Sequence, residues 1–146
     1  MTALIFDGVF DRHPNLKFGV IELGASWLPS WLRFMDSGFE AFRKGEARLQ
    51  ALSMKPSELA ERQLRVTPYC HEPTGWILRE SSPDMLLFSS DFPHVEGGRN
   101  PVKRFEDNME GISDEALGRF YRDNFIDLMG RGLDASLHDH PSQQAA

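Results

Sequence analysis

The sequence predicts an α/β fold in which three parallel strands alternate with helices. Two apolar runs, residues 16–23 and 85–88, read as strands buried on both faces, the pattern of a parallel sheet. A third stretch, 63–70, alternates rather than runs, and Pro68 weakens it. Helical stripes separate the three, and that alternation implies right-handed crossovers between parallel strands. Each predicted strand also ends in polar groups: Glu22, then His71 and Glu72, then Asp91 and His94. In a parallel sheet that end is where ligands bind.

The elements follow in order. Residues 2–13 place Leu4, Ile5, Val9 and Phe10 at the spacing of a short amphipathic helix. It should stop before Pro14, because a residue preceding proline avoids the helical region. The chain thus begins inside an element, which predicts that upstream sequence is missing. After the first strand, Gly24-Ala25-Ser26 allows a tight turn, and Ser26 is a candidate N-cap for a helix running towards Arg43. Pro29 falls in its first turn, where a missing N–H does no harm. Trp27 and Trp31 are expected to pack rather than to stack on a ligand.

The segment 46–61 is polar, with a helical turn predicted over 57–63. A short helix over 74–79 leads to the run at 85–88. The segment 95–103 carries Gly97, Gly98 and Pro101 and reads as a loop. Ser113 should cap a helix whose apolar stripe is Leu117, Phe120, Tyr121, Phe125 and Leu128, with Gly130 closing it. Residues 1–130 are expected to form the domain and 131–146 a disordered tail.

Composition narrows the function. A chain of 146 residues can bury a real core. The net charge of −6 argues against a nucleic-acid partner, which needs a basic footprint. No apolar run is long enough for a bilayer, and no leader pattern opens the chain. Cys70 is the only cysteine, so no internal disulfide can form and a cytoplasmic setting is expected; Cys70 itself is expected to be a small buried filler.

The chemistry gathers in Ser89-Ser90-Asp91-Phe92-Pro93-His94. A carboxylate where a buried strand opens into a loop, with a histidine three residues on, fits a metal or acid–base site. It also fits a side chain that caps the next turn by accepting from backbone N–H groups.

Three pieces then carry a resemblance: Gly8-Val9-Phe10-Asp11-Arg12-His13-Pro14-Asn15-Leu16-Lys17, Glu22-Leu23-Gly24-Ala25-Ser26-Trp27-Leu28-Pro29 and Ser90-Asp91-Phe92-Pro93-His94. Asn124 ahead of Leu128-Met129-Gly130 fits the same pattern. Over residues 2–130 the chain resembles the C-terminal part of the amidohydrolase-related family that includes aminocarboxymuconate semialdehyde decarboxylase. The resemblance implies the last three βα units of a metal-dependent hydrolase (β/α)8 TIM barrel, with a divalent metal, zinc first, at its C-terminal face. It implies hydrolysis or non-oxidative decarboxylation of a small carboxylic or aromatic-derived substrate. Asp91 matches the family's metal-ligand aspartate, which also serves in acid–base work. Glu22 lies near the place where some members carry a catalytic histidine. His94 and His71 are the candidate substrate-binding residues.

The family's His-x-His pair on its first strand and its histidine on the fifth have no counterpart here. The string His138-Asp139-His140 lies in the polar tail instead. A complete barrel takes roughly 250 residues. Three strands alone should leave two open sheet edges. The chain alone is therefore expected to hold no metal and not to act as an enzyme. It would be a truncated frame, or a part needing a complementing chain or a second copy.

Overall fold

The structure, a computed structural model, describes residues 1–138. The order is α1 (Thr2–Phe6), α2 (Val9–Arg12), β1 (Phe18–Val20), α3 (Leu28–Phe42), α4 (Ala47–Gln50), α5 (Pro56–Gln63), β2 (Leu64–Val66), α6 (Thr74–Glu80), α7 (Pro101–Asn108), α8 (Asp114–Gly118) and α9 (Asn124–Met129). The first predicted helix is two, because the chain turns at Gly8 with φ +68°. Ser26 does not cap α3; Trp27 holds that position, and the Ser26 N–H is bound by Glu72. The helix α4 and the helix α7 were not expected. Asn100 caps α7 by accepting from the Lys103 N–H, and Pro101 takes the first turn.

β1 and β2 pair in parallel, with Phe18 opposite Leu64, Gly19 opposite Arg65 and Val20 opposite Val66. The sheet has these two strands, not the three expected. The run at 85–88 contributes only a parallel bridge from Leu86 to Val66. Its hydrogen bonds are Val66 N–H to Met85 O at 2.8 Å and Leu87 N–H to Val66 O at 3.0 Å. The next rung would need an N–H from residue 68, which is proline and has none. The rung below would need the Met85 N–H, which instead donates to Ser82 O at 3.1 Å.

The other edge of the 85–88 segment is not open. The predicted C-terminal helix breaks into α8, a π-helical turn over Arg119–Asp123, and α9. The wide turn frees the Phe120 carbonyl to accept the Phe88 N–H at 2.8 Å. Asn124 then donates its amide to Leu86 O and Pro83 O, both at 2.7 Å. Only the far edge of β1 lacks a strand partner among the described residues. Ser113 caps α8 as expected, accepting from the Ala116 N–H at 3.3 Å.

Alternation puts Gly19 and Arg65 on one face of the sheet and Leu64 and Val66 on the other. α9 covers the first face. Arg65 and Lys17 both pair with Asp127, at 2.6 and 2.9 Å, and a Cβ on Gly19 would come within 3.2 Å of Leu128. On the second face Leu64 and Val66 belong to the buried core with Leu28, Leu32, Leu59 and Ile77. Trp27 and Trp31 meet edge to face at 5.4 Å and pack on that core. Phe88, Phe105, Phe120 and Tyr121 form an aromatic cluster beside it.

One carboxylate ties the loops beyond the two strands together. Glu72 accepts from Tyr69 N–H at 2.7 Å, Ala25 N–H at 2.9 Å and Ser26 N–H at 2.8 Å. Burial pushes its pKa up, but the hydrogen bonds from Ser26, Tyr69 and Ala25 together outweigh that and leave it below the ordinary value of 4.5.

Two expectations follow from these contacts. Asn124→Ala should lower stability by roughly 1–3 kcal/mol, since it strands the buried Leu86 carbonyl; urea unfolding measures this. Because the folded pKa of Glu72 is depressed, its stabilisation is complete above the unfolded value and is lost as pH falls through the folded one. The stability difference between the wild-type chain and Glu72→Gln should therefore be constant above pH 4.5 and shrink below it, as followed by unfolding at a series of pH values.

Candidate metal and acid–base site

Among the described residues only two non-glycine positions have positive φ, Glu22 at 59° and Asp91 at 58°. Such backbone costs of order 1–3 kcal/mol each and persists only where the surroundings hold it. Both positions are ones the sequence singles out; Glu22 follows β1 and Asp91 follows the bridged 85–88 segment.

Glu22 lies two residues beyond β1. Its N–H donates to Thr67 Oγ1 at 3.3 Å, and the Tyr69 hydroxyl donates to its carbonyl at 2.8 Å. Both supports come from the segment leaving β2. Asp91 is held by its own loop. Its N–H donates to Ser89 Oγ at 3.4 Å, and its carbonyl accepts the His94 N–H at 2.8 Å. Gly97 closes over this turn. A Cβ there would lie 2.2 Å from Ser90 O and 3.1 Å from Asp91 Cβ, so only glycine fits.

These supports bring three side chains together. His94 Nδ1 is 3.2 Å from Asp91 Oδ1 and 3.3 Å from Glu22 Oε1. One donor atom from each of the three lies within 4.8 Å of the others. Asp91 is the sheltered member, its side chain 15% exposed against 60% for Glu22 and 57% for His94. The cluster opens onto a shallow pocket lined by Glu22, Thr67, Tyr69, Cys70, Ser90 and Asp91. Two carboxylates and an imidazole in this arrangement form a donor set suited to a divalent cation. They also form an imidazole flanked by two bases, able to pass a proton.

His71 stands apart from the three. Its ring stacks on Tyr69, with centroids 5.4 Å apart and planes 7° from parallel. His138 directs Nε2 towards Leu133 O, and Asp139 and His140 lie outside the described residues. Cys70 is buried, as expected, with its sulfur 3.5 Å from an Arg104 guanidinium nitrogen. Sequence reasoning missed the supporting roles of Thr67, Tyr69 and Glu72. Only the polar end of the second strand hinted at them.

The chain has recognisable relatives. The amidohydrolase family profile matches residues 1–130. Among solved structures, an amidohydrolase from Mycobacterium avium subsp. paratuberculosis is similar at 30% identity and a TM-score of 0.73, covering 88% of this chain and 32% of that one. A 5-carboxyvanillate decarboxylase from Sphingomonas paucimobilis shares the fold at 21% identity and a TM-score of 0.63, covering 87% of this chain and 37% of that one. A second, from Novosphingobium aromaticivorans, was solved with manganese and 4-hydroxy-3-methoxy-5-nitrobenzoic acid; it matches at 21% identity and a TM-score of 0.65, covering 87% of this chain and 36% of that one. No curated protein matches. The chain thus spans about a third of the length of the structures it resembles. No helix among the described residues is long and apolar enough to cross a membrane. Matched by the family profile over nearly its whole length, with the fold of these enzymes, the chain belongs to the amidohydrolase family.

Proposed function

We propose that Glu22, Asp91 and His94 form one side of a divalent-cation site in a metal-dependent enzyme that hydrolyses or decarboxylates a small carboxylic or aromatic-derived substrate. The observation that carries this reading is the convergence of the three donor atoms within 4.8 Å. Two of the three sit on left-handed backbone that the surrounding hydrogen bonds hold in place. Asp91 is the first ligand and the acid–base group, because it is the most sheltered. Glu22 and His94 complete this chain's share.

A bound cation supplies Lewis-acid polarisation of a substrate carboxylate or carbonyl. The remaining work falls to the side chains. Asp91 can take a proton on the carboxylate oxygen not turned to the ion and deliver it to a reacting carbon or oxygen.

One imidazole and two carboxylates suit zinc, the ion the family resemblance implies, and also manganese, the ion in a similar decarboxylase. Three donors from one chain, two of them exposed, should bind weakly and release the ion on dialysis. A complementing chain or a second copy would supply further ligands. The far edge of β1 favours that reading, with Ile21 and Leu23 exposed beside it.

Two measurements test the proposal. Titration of the purified chain with Zn²⁺ and with Mn²⁺ should show a single weak site that Asp91→Asn abolishes while the circular dichroism spectrum is kept. Full-strength binding by that variant would remove Asp91 from the site. In an assembly with turnover, the same change should reduce kcat by about a hundredfold or more.

A further inference from the structure

Glu72 touches neither Asp91 nor His94, yet the bonds around it run to Glu22 from two directions. Its carboxylate holds the N–H groups of Ala25 and Ser26 on the loop after β1, and the N–H of Tyr69 on the loop after β2. Tyr69 in turn donates its hydroxyl to the Glu22 carbonyl at 2.8 Å. The approach is close: a Cβ on Gly24 would lie 2.9 Å from the Glu72 carboxylate and 3.1 Å from the Tyr69 ring. Glu22 itself sits at φ 59°, backbone that a glutamate leaves unless it is held.

We propose that Glu72 and Tyr69 are positioning residues that hold the Glu22 carboxylate against Asp91 and His94, so that cation binding depends on a clamp that contacts none of the ion's ligand atoms. The effect on binding rests on the cation reading above; the effect on Glu22 does not. With the clamp in place, Thr67 and Tyr69 hold the N–H and the carbonyl of Glu22, and from that backbone its carboxylate reaches His94 Nδ1 at 3.3 Å. With the clamp released, Glu22 relaxes to negative φ and its carboxylate turns to solvent.

The test uses the full-length chain, isotope-labelled, with two readouts. Amide hydrogen exchange at Glu22 is read without metal. It should speed up about tenfold in Tyr69→Phe and in Glu72→Gln, the factor expected at the upper end of the range for one lost hydrogen bond. Glu72→Asp should restore part of the protection. Mn²⁺ titration is the second readout. Each variant should weaken binding by about tenfold, as loss of outer-shell support does. In a Glu22→Gln background Tyr69→Phe should cost nothing further, which a merely structural role would not produce. If Glu72→Gln fails to fold, Tyr69→Phe decides alone, since it removes a single hydroxyl. Unchanged exchange at Glu22, with faster exchange at Ala25 and Ser26, would overturn the proposal. Additive losses in the double variant would also overturn it. A wild-type chain that takes up no Mn²⁺ would sink the cation reading, and exchange at Glu22 would still decide the positioning.

Discussion

β2 is three residues long, and the molecule depends on the hydrogen bonds it shares. Val66 lies opposite Val20 on one side and bridges to Leu86 on the other. That single residue fixes where β1 and the 85–88 segment end relative to each other. The two loops carrying Glu22 and Asp91 therefore leave the sheet side by side. The segment after Val66 then reaches across: Thr67 and Tyr69 hold Glu22, and Glu72 holds the loop behind it. A short strand suffices because both its faces are buried, one under the core and one under α9.

The alternation of β1 and β2 with helices, and the place of Glu22, Asp91 and His94 after apolar runs, were legible in the sequence. The reason is physical: buried strands must be apolar, and a carboxylate that ends one stands out. The third strand was not legible as a mere bridge. Hydropathy reports the burial of residues 85–88 correctly, but the ladder stops because Pro68 has no N–H to offer, which is a property of the neighbouring segment. α7 escaped because Gly97, Gly98 and Pro101 signal a loop locally, whereas Asn100 and Pro101 also open a helix that Phe105 anchors in the core. The π-turn has no local signature. Its cause is tertiary, since the wide turn offers a carbonyl to Phe88 at an otherwise bare strand edge.

The cluster shows the same division. Asp91 and His94 are three residues apart and meet through one turn, so spacing reveals them. Glu22 is remote in sequence and arrives only because parallel pairing aligns the strand ends. Glu72 read as one more polar residue at a strand end. Its three backbone partners come from two loops, and no pattern of side chains announces them.

The left-handed backbone at Glu22 also limits what could replace it. Glycine, asparagine, aspartate and histidine tolerate that region better than other residues, whereas valine, isoleucine and threonine do not. A library built at this position would therefore return few viable members, and those would be rich in groups that can take a proton or a metal. A chemical repertoire at this strand end can be narrowed by backbone shape before any requirement of reactivity is applied.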